Sequence, residues 1–379
     1  MTRRGRQFLA DKYAARQRQA SCHSDDVRRL ALLYLLTVLS NAPASVDSHW
    51  TVTKEERLTL IRRAQVWKPT DVPNMEIRIG PDGVGAFQPN ELVTCDYTPR
   101  ELHGSSRKFS CVLPDGDVIK VRYGARNREV QGSVLATRLL WALGFVANRV
   151  YPVRVSCRGC SADPWKDRAT HKGTHDFDPA VVERKPQGHE VWEGDREADW
   201  AWPELDYVDA NLGGAPLEQR DALKLLAVFM QHTDTKSEQQ RLLCASSPVA
   251  PVGMCDEPFL FLHDVGLTFG RANFFNGAGT GSVNLEEWTK TPIWKDRGAC
   301  IGHLSKSKTG TLGNPHISEA GRKFLADLLV QLTDRQVRDL FEVAQVARRT
   351  SGDQPTSVDD WIAAFNQKRN EIVTHHCAD

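Results

Sequence analysis

Charged and amide side chains that could position phosphate groups occur at three separated places in the sequence. Lys120 lies within the apolar run "DVIKVRYG". The segment "HTDTKSEQQ" carries Asp234, Lys236 and Gln239, and Asp264 ends the apolar run "PFLFLHD". Transfer of a phosphoryl group from ATP depends mostly on positioned charge: a lysine at the phosphates, a carboxylate at the acceptor hydroxyl and oxygen ligands for metal ions. The residue types at these places match those requirements.

Each of these residues also has an ordinary structural interpretation when it is taken alone. Lys120 could be an outward-facing strand charge, and Asp234 with Lys236 could be the solvated end of a helix. Glu129, in the first turn of a predicted helix, could simply favour the helix dipole. Asp264 could cap a turn. The order and spacing of the whole set favour the chemical interpretation.

The elements that would position these residues change type along the chain. "FSCVLPDGDVIKVRYG" (109–124) predicts two short strands around the turn Pro114-Asp115-Gly116. "NREVQGSVLATRLLWALGF" (127–145) predicts a helix capped by Asn127 and ending at Gly144. "NRVYPVRVSC" and "PAVVERKP" are further predicted strands. These elements predict a small strand-rich lobe.

The second half of the chain has helical patterns. "PLEQRDALKLLAVFMQH" (216–232) carries a broad apolar face, which predicts a buried helix directly before Asp234. "TDRQVRDLFEVAQVA" and "SVDDWIAAFNQKRNEIV" begin with capping residues and keep an apolar stripe. Between the lobes, residues 187–215 form a connector rich in Trp and Gly. The predicted fold class is therefore α+β, with a strand-rich lobe followed by a helical lobe.

At these motifs the chain resembles the protein-kinase-like superfamily. "HTDTKSEQQ" is similar to the catalytic loop H-x-D-x-K-x-x-N, and "DVGLTFG" is similar to the metal-binding D-F-G segment. The resemblance covers roughly residues 92–275 and is of an atypical kind, similar to Golgi casein kinase-like, spore-coat kinase-like and phosphatidylinositol kinase-like proteins. It implies a two-lobed kinase-like fold and an ATP-dependent phosphotransferase acting on a protein or small-molecule hydroxyl.

The resemblance also implies roles for single residues. Lys120 would hold the phosphates of ATP and pair with Glu129. Asp234 would be the catalytic base, and Lys236 would steady the transferred group.

Further positions follow from the same resemblance. Asp264 and Gln239 would bind Mg²⁺ or Mn²⁺, which prefer oxygen ligands. The turn "HGSSRKF" would cover the phosphates through the backbone of Gly104, Ser105 and Ser106.

Three departures from the family pattern keep other functions open. Gln239 stands where an asparagine is expected, the phosphate-covering turn has a single glycine, and "CASSPVAPVGMC" (244–255) is an extra excursion between the two aspartates. One alternative is a pseudokinase-like protein that binds a nucleotide or a partner. Another is an enzyme on the same fold that transfers AMP from a nucleotide bound in reverse.

A cluster of cysteines and histidines has three interpretations: a zinc site, a disulfide or free thiols. Cys157, Cys160, His171 and His175 have a spacing that could hold a structural zinc ion. A disulfide, within the Cys157-x₂-Cys160 pair or over a longer range, is the alternative if the chain is exported. Cys244 and Cys255 flank the excursion and could join its ends.

The beginning of the chain resembles an export signal. An arginine-rich stretch leads into "LALLYLLTVL" (30–39), and Ala42 and Ala44 are spaced as at a signal-peptidase site. Removal of residues 1–44 would leave eight cysteines, an even number that suits an oxidising compartment. The alternative is a buried first helix of a cytoplasmic protein.

The predicted organisation has four parts: a leader (1–44), a helical extension (45–91), the strand-rich lobe (92–190, with the Cys/His insert 157–175) and the helical lobe (191–379). The net charge of +1 argues against a general nucleic-acid binder. No apolar run is long enough to serve as a transmembrane anchor in the mature chain. The expected partners are a nucleotide and an unidentified hydroxyl-bearing acceptor.

Overall fold

The computed structural model describes residues 49–245, 255–270, 282–348 and 356–378. The predicted leader, with Cys22, lies outside the described residues, and so does the segment that follows Gly270. Within the described part, no helix is both long enough and apolar enough to cross a membrane.

Strands and helices follow the order that the sequence patterns indicate. The described strands are β1 Trp50–Val52, β2 Leu92–Thr98, β3 Lys108–Val112, β4 Val118–Tyr123, β5 Arg149–Arg158, β6 Thr174–Arg184, β7 His189–Glu193, β8 Arg196–Glu197, β9 Gln240–Cys244, β10 Pro258–Leu262, β11 Trp294–Asp296 and β12 Ile301–Gly302. The described helices are α1 Lys54–Arg63, α2 Arg128–Ala142, α3 Leu217–Met230, α4 Leu285–Lys290, α5 Glu319–Leu329, α6 Asp334–Val343 and α7 Val358–Val373.

Five strands of the first half close into a barrel in the order β2-β3-β4-β6-β5. Only the β2–β5 pair is parallel; the other pairs are antiparallel. The predicted β3–β4 hairpin is present, and Gly116 in its turn has φ +89°, a conformation that glycine adopts without strain. Apolar side chains such as Phe109, Val121 and Val155 fill the barrel interior.

Helix α2 packs against β4, β5 and β6 and also approaches the turn that follows β10. A Cβ atom added at Gly132 would lie 2.1 Å from the carbonyl oxygen of Gly266. Glycine at this position therefore allows the helix to lie directly on the turn. This close approach sets the distance between Glu129 on the helix and Asp264 at the start of the turn.

A second sheet has the order β1-β7-β9-β10 with β8 paired to β7, and it joins one strand from before the barrel in the chain to strands from after it. The connector 187–215 thus contributes strands as well as turns. Within this sheet β9 and β10 form an antiparallel pair in which Leu262 lies opposite Gln240. One end of the β9–β10 pair therefore holds both Gln239 and Asp264.

The remaining helices form the second lobe. Helix α3 packs against α5, and α7 packs against α4, α5 and α6. The last two helices begin with the capping boxes that their sequences predict, at Thr333 and at Ser357. The expected α+β architecture, with a strand-rich part followed by a helical part, is confirmed.

Four disulfide bonds join the eight cysteines of the described residues. They are Cys95–Cys111, Cys157–Cys160, Cys244–Cys255 and Cys300–Cys377. The predicted link across the excursion is present as Cys244–Cys255. These bonds are compatible with an oxidising location.

Candidate functional site

Residues from four separated parts of the chain surround one cavity of about 110 Å³. They come from the turn before β3, the start of α2, the loop after α3 and the turn after β10. The lining residues are Gly104, Ser105, Ser106, Lys108, Glu129, Asp234, Lys236, Gln239, Asp264 and Leu267. All the residues proposed from the kinase resemblance except Lys120 therefore lie in this one lining.

The loop after α3 presents Asp234 to the cavity. Lys236 Nζ lies 3.1 Å from Oδ1 of Asp234, and Gln239 Nε2 donates to Oδ2 over 3.0 Å. The carbonyl oxygen of Gln239 accepts from the backbone N–H groups of His263 and Asp264. The polar ends of β9 and β10 are therefore joined directly, and the two aspartates are held in a fixed relation.

The backbone of this loop is anchored on both sides. Helix α3 ends at Gln231, which is left-handed (φ 52°, ψ 50°) and turns the chain out of the helix. Thr235 is fully buried, and its hydroxyl receives the backbone N–H of Leu312 over 3.1 Å. Thr311 donates its hydroxyl to the carbonyl oxygen of Thr235 over 2.8 Å. The side chains on either side of Thr235 are therefore presented by an immobilised backbone, unlike those of a frayed helix end.

Asp264 is held by donors on both carboxylate oxygens. The backbone N–H of Gly266 donates to Oδ1 over 3.2 Å, and Arg122 Nη2 donates to Oδ2 over 2.9 Å. About a quarter of the Asp264 side chain remains exposed (24%). Each carboxylate oxygen has a second lone pair, so a metal ion on the cavity side can still be coordinated.

Arg122 is the centre of a buried charge network that sequence reasoning missed. Its side chain is 2% exposed and contacts three carboxylates. It lies 3.2 Å from Glu129, 2.9 Å from Asp264 and within hydrogen-bonding distance of Glu183. The planar guanidinium suits this role because its donors project in several fixed directions.

The pairing of Lys120 with Glu129 that the kinase resemblance implies is wrong in this structure. Lys120 Nζ lies 2.7 Å from Glu183, which is its direct partner across the β4–β6 pair. Glu129 instead pairs with Arg122, two residues further along the same face of β4. Because strand register places Glu183 beside Lys120, Glu129 on the helix pairs with Arg122, the next cation on that face of β4.

Burial and charge act in opposite directions on the carboxyl groups of this network. Burial is the largest effect and would raise the pKa of Asp264, but the positive charges around it, Arg122 foremost and Lys120 after it, together outweigh burial and the pKa is lowered. The pKa of Glu183 is lowered for the same reason, with Lys120 adding to the effect of Arg122. The pKa of Glu129 is raised, because burial and the negative charge of Asp264 outweigh the attraction of Arg122. Asp264 therefore keeps the ionised form that a metal ligand needs.

Lys108 is a second cavity residue that sequence reasoning missed. It opens β3 directly after the Gly104–Ser106 turn, and its register partner on β4 is Arg122. Burial and the charge of Arg122 lower the pKa of its amino group. The sequence feature that could have identified Lys108 is its position two residues after the predicted phosphate-covering turn. An anionic ligand in the cavity would find this amino group close to the turn.

The four residues of the possible zinc set do not converge. Cys157 and Cys160 are bonded to each other. His171 Nε2 lies 2.7 Å from Asp167. His175 pairs with Cys157 in register but lies at the start of β6, where successive residues are exposed, whereas Cys157 is buried in the barrel core. The structure therefore has a disulfide between Cys157 and Cys160 and not a zinc site formed with the two histidines.

The chain is similar to solved structures but not to known sequence families. No family model matches the chain, and no curated protein matches it. The crystal structure of a Helicobacter pylori proinflammatory kinase, CtkA, aligns with 76% of this chain and 95% of its own, at 13% identity and a TM-score of 0.35.

Proposed function

We propose that the chain is a metal-dependent phosphotransferase that uses ATP. The convergence of two aspartates, an amide and two lysines on one cavity carries this proposal, because these residues come from parts of the chain as far apart as Lys108 and Asp264. A cavity that combines cations for phosphate oxygens with carboxylates for metal ions has the composition that phosphoryl transfer needs.

The oxygen ligands around the cavity suit Mg²⁺ or Mn²⁺. Asp264 and Gln239 offer oxygen atoms, and no thiolate or imidazole lines the cavity among the described residues. Such an ion would neutralise charge on the transferred phosphoryl group. Asp234 would accept the proton of the acceptor hydroxyl, and Lys236 would hold the Asp234 carboxylate in place and contact the phosphoryl oxygens.

The volume of the cavity indicates which part of the nucleotide it holds. Sites for drug-sized ligands usually measure about 300–1,000 Å³. A cavity of about 110 Å³ accommodates phosphate groups and metal ions but not the purine as well. We infer that the triphosphate occupies this cavity and that the nucleoside extends beyond it or binds after the cleft opens.

One observation favours a second candidate, a nucleotide-binding protein without catalysis. Arg122 contacts both Asp264 and Glu129 and offsets part of their negative charge. A site stabilised in this way gains less from metal binding than one with unpaired carboxylates. This candidate predicts nucleotide binding without transfer of label.

The test is transfer of label from ATP labelled at either the α or the γ phosphate by the full chain with Mn²⁺ or Mg²⁺. Water and a mixture of acidic and basic proteins serve as acceptors. Label from the γ phosphate that is lost in Asp264→Ala would support the phosphotransferase. Label from the α phosphate would indicate AMP transfer, and binding without transfer would support the second candidate. The absence of both label transfer and nucleotide binding would overturn the proposal.

A matched pair of variants tests the role of Asp234 in the same assay. Asp234→Asn removes the proton acceptor and should lower kcat by about 10²–10⁴-fold while the nucleotide still binds. Glu238→Gln alters an exposed carboxylate in the same loop and should leave kcat unchanged. Equal activities of the two variants would contradict the role of Asp234 as the base.

A further inference from the structure

Two of the disulfides meet inside the barrel. Cys95–Cys111 joins β2 to β3, and Cys157–Cys160 lies at the end of β5. All four cysteines are fully buried. The sulfur atoms of Cys111 and Cys157 belong to different disulfides and lie only 3.7 Å apart.

The backbone, and not the disulfides alone, brings these sulfur atoms together. Cys95 and Cys157 are direct register partners on the parallel strands β2 and β5. Cys111 lies on β3, which pairs with the other edge of β2. The Sγ atoms of Cys95, Cys111 and Cys157 all lie within 4.8 Å of one another. Hydrogen-bonded strands would keep the backbone of these three cysteines together whether the sulfurs are oxidised or reduced.

One pair of sulfur atoms already has the separation found in a zinc–thiolate centre. With Zn–S bonds of about 2.3 Å and tetrahedral angles, neighbouring sulfur atoms are about 3.8 Å apart. The Cys111–Cys157 separation of 3.7 Å already has this value. Cys160 follows Cys157 in the C-x₂-C spacing that is common in structural zinc sites. Its sulfur is not within 4.8 Å of all three others, so it would supply the fourth thiolate by turning towards them once reduction frees it from Cys157.

We propose that the reduced chain binds one Zn²⁺ through Cys95, Cys111, Cys157 and Cys160. In a reducing compartment the four thiols do not oxidise, and binding releases their protons to solvent as the thiolates coordinate the ion. In an oxidising compartment the same positions form the two disulfides. The barrel that carries the Gly104–Ser106 turn and Lys108 is thereby cross-linked in either compartment, and this inference does not depend on the phosphotransferase activity.

The proposal is tested on the full chain, reduced with a phosphine under anaerobic conditions and loaded with Zn²⁺. Each disulfide takes two electrons and two protons, and one phosphine per disulfide becomes the phosphine oxide with an oxygen atom from water. After removal of excess metal by gel filtration, about one zinc per chain is expected by elemental analysis. Replacement of Zn²⁺ by Co²⁺ should give the thiolate-to-cobalt charge-transfer absorption of a tetrahedral site. Reduced chain that retains no metal would overturn the proposal.

Paired variants locate the ion. Cys95→Ser/Cys111→Ser should lose the bound zinc and the cobalt absorption. Cys300→Ser/Cys377→Ser should retain both; it is the matched control because those two cysteines also lie near a histidine, His375. Cys160→Ser alone should weaken binding by about tenfold or more. Loss of zinc in the control together with its retention in Cys95→Ser/Cys111→Ser would place the ion elsewhere and overturn the proposal.

Discussion

Arg122 connects the parts of the cavity through charge. It lies on β4, while its three carboxylate partners lie on α2, on β6 and at the end of β10. A buried ion pair gains little over a well-packed apolar core, but removal of one partner leaves uncompensated charge in the interior. Arg122 has three such partners, so its removal would be more damaging than the loss of an ordinary salt bridge.

Replacement of Arg122 should therefore lower the free energy of unfolding markedly. We expect Arg122→Leu to lower the free energy of unfolding by about 3–5 kcal/mol, because Glu129 and Asp264 lose their cation. Arg122→Lys keeps the charge but not the several contacts, so its loss should be smaller. Urea denaturation measures both effects. Arg335→Leu removes an exposed ion pair with Glu76 and should leave the midpoint unchanged. An unchanged midpoint in Arg122→Leu would contradict the network.

Two buried histidines should make stability depend on pH. Burial lowers the pKa of His232 and of His263 to about 4 in the folded chain, against about 6.5 in an unfolded one. Above pH 6.5 both states are neutral and the stabilising contribution is complete. As the pH falls from 6.5 towards 4, the unfolded chain binds protons that the folded chain does not. Stability should then decrease by up to about 1.4 kcal/mol per histidine per pH unit.

The histidine contribution can be isolated by comparing slopes. In His232→Gln the free energy of unfolding, measured in urea at pH 6.5, 6 and 5, should fall less steeply than in the unsubstituted chain. His171→Gln alters an exposed histidine and should keep the original slope. The slope is the relevant readout, because either substitution can also change stability uniformly across the pH range. Identical slopes in His232→Gln and the unsubstituted chain would contradict this interpretation.

At the scale of elements, local patterns could be predicted and cross-chain pairings could not. The β3–β4 turn and the α6 and α7 caps follow from residues a few positions apart, and the structure has them. The partner of Lys120 is Glu183, which strand register selects from 63 positions away. Strand β7 is similar: "HEVWE" has no strong strand pattern and becomes a strand by pairing with β1 and β9. Cysteine pairing across β2 and β3 likewise depends on the closed barrel.

The disulfides should stabilise the elements they join according to the length of chain they enclose. Cys244–Cys255 closes the outer end of the β9–β10 pair across 11 positions, whereas Cys300–Cys377 spans 77. Loop-closure entropy predicts a loss of about 3 kcal/mol for Cys244→Ala/Cys255→Ala and about 4.5 kcal/mol for Cys300→Ala/Cys377→Ala. Urea denaturation under non-reducing conditions gives both values. A greater loss for the shorter loop would show that packing, and not chain entropy, dominates.

At the scale of the whole molecule, the cavity depends on both halves of the chain. The strand-rich part supplies the Gly104–Ser106 turn, Lys108 and Glu129, and the second half supplies Asp234 and Asp264. Gly132 and Gly266 lie against each other where these halves meet. A ligand in the cavity would therefore contact both parts at once and oppose their separation.

Nucleotide binding should for this reason raise the thermal stability of the whole chain. A ligand at a hundred times its Kd adds about 2.7 kcal/mol to the folded state. In a chain of this size that corresponds to a rise in Tm of about 3–4 °C. A hydrolysis-resistant ATP analogue with Mg²⁺ should give this rise in scanning calorimetry. The analogue with a chelator should give a smaller rise in Tm, because Asp264 then has no metal ion through which to hold the phosphates. Asp264→Ala should lose the metal-dependent part, while Glu287→Gln, an exposed carboxylate at the start of α4, should keep it. A Tm unmoved by the analogue and Mg²⁺ would mean that the two halves do not close on a nucleotide.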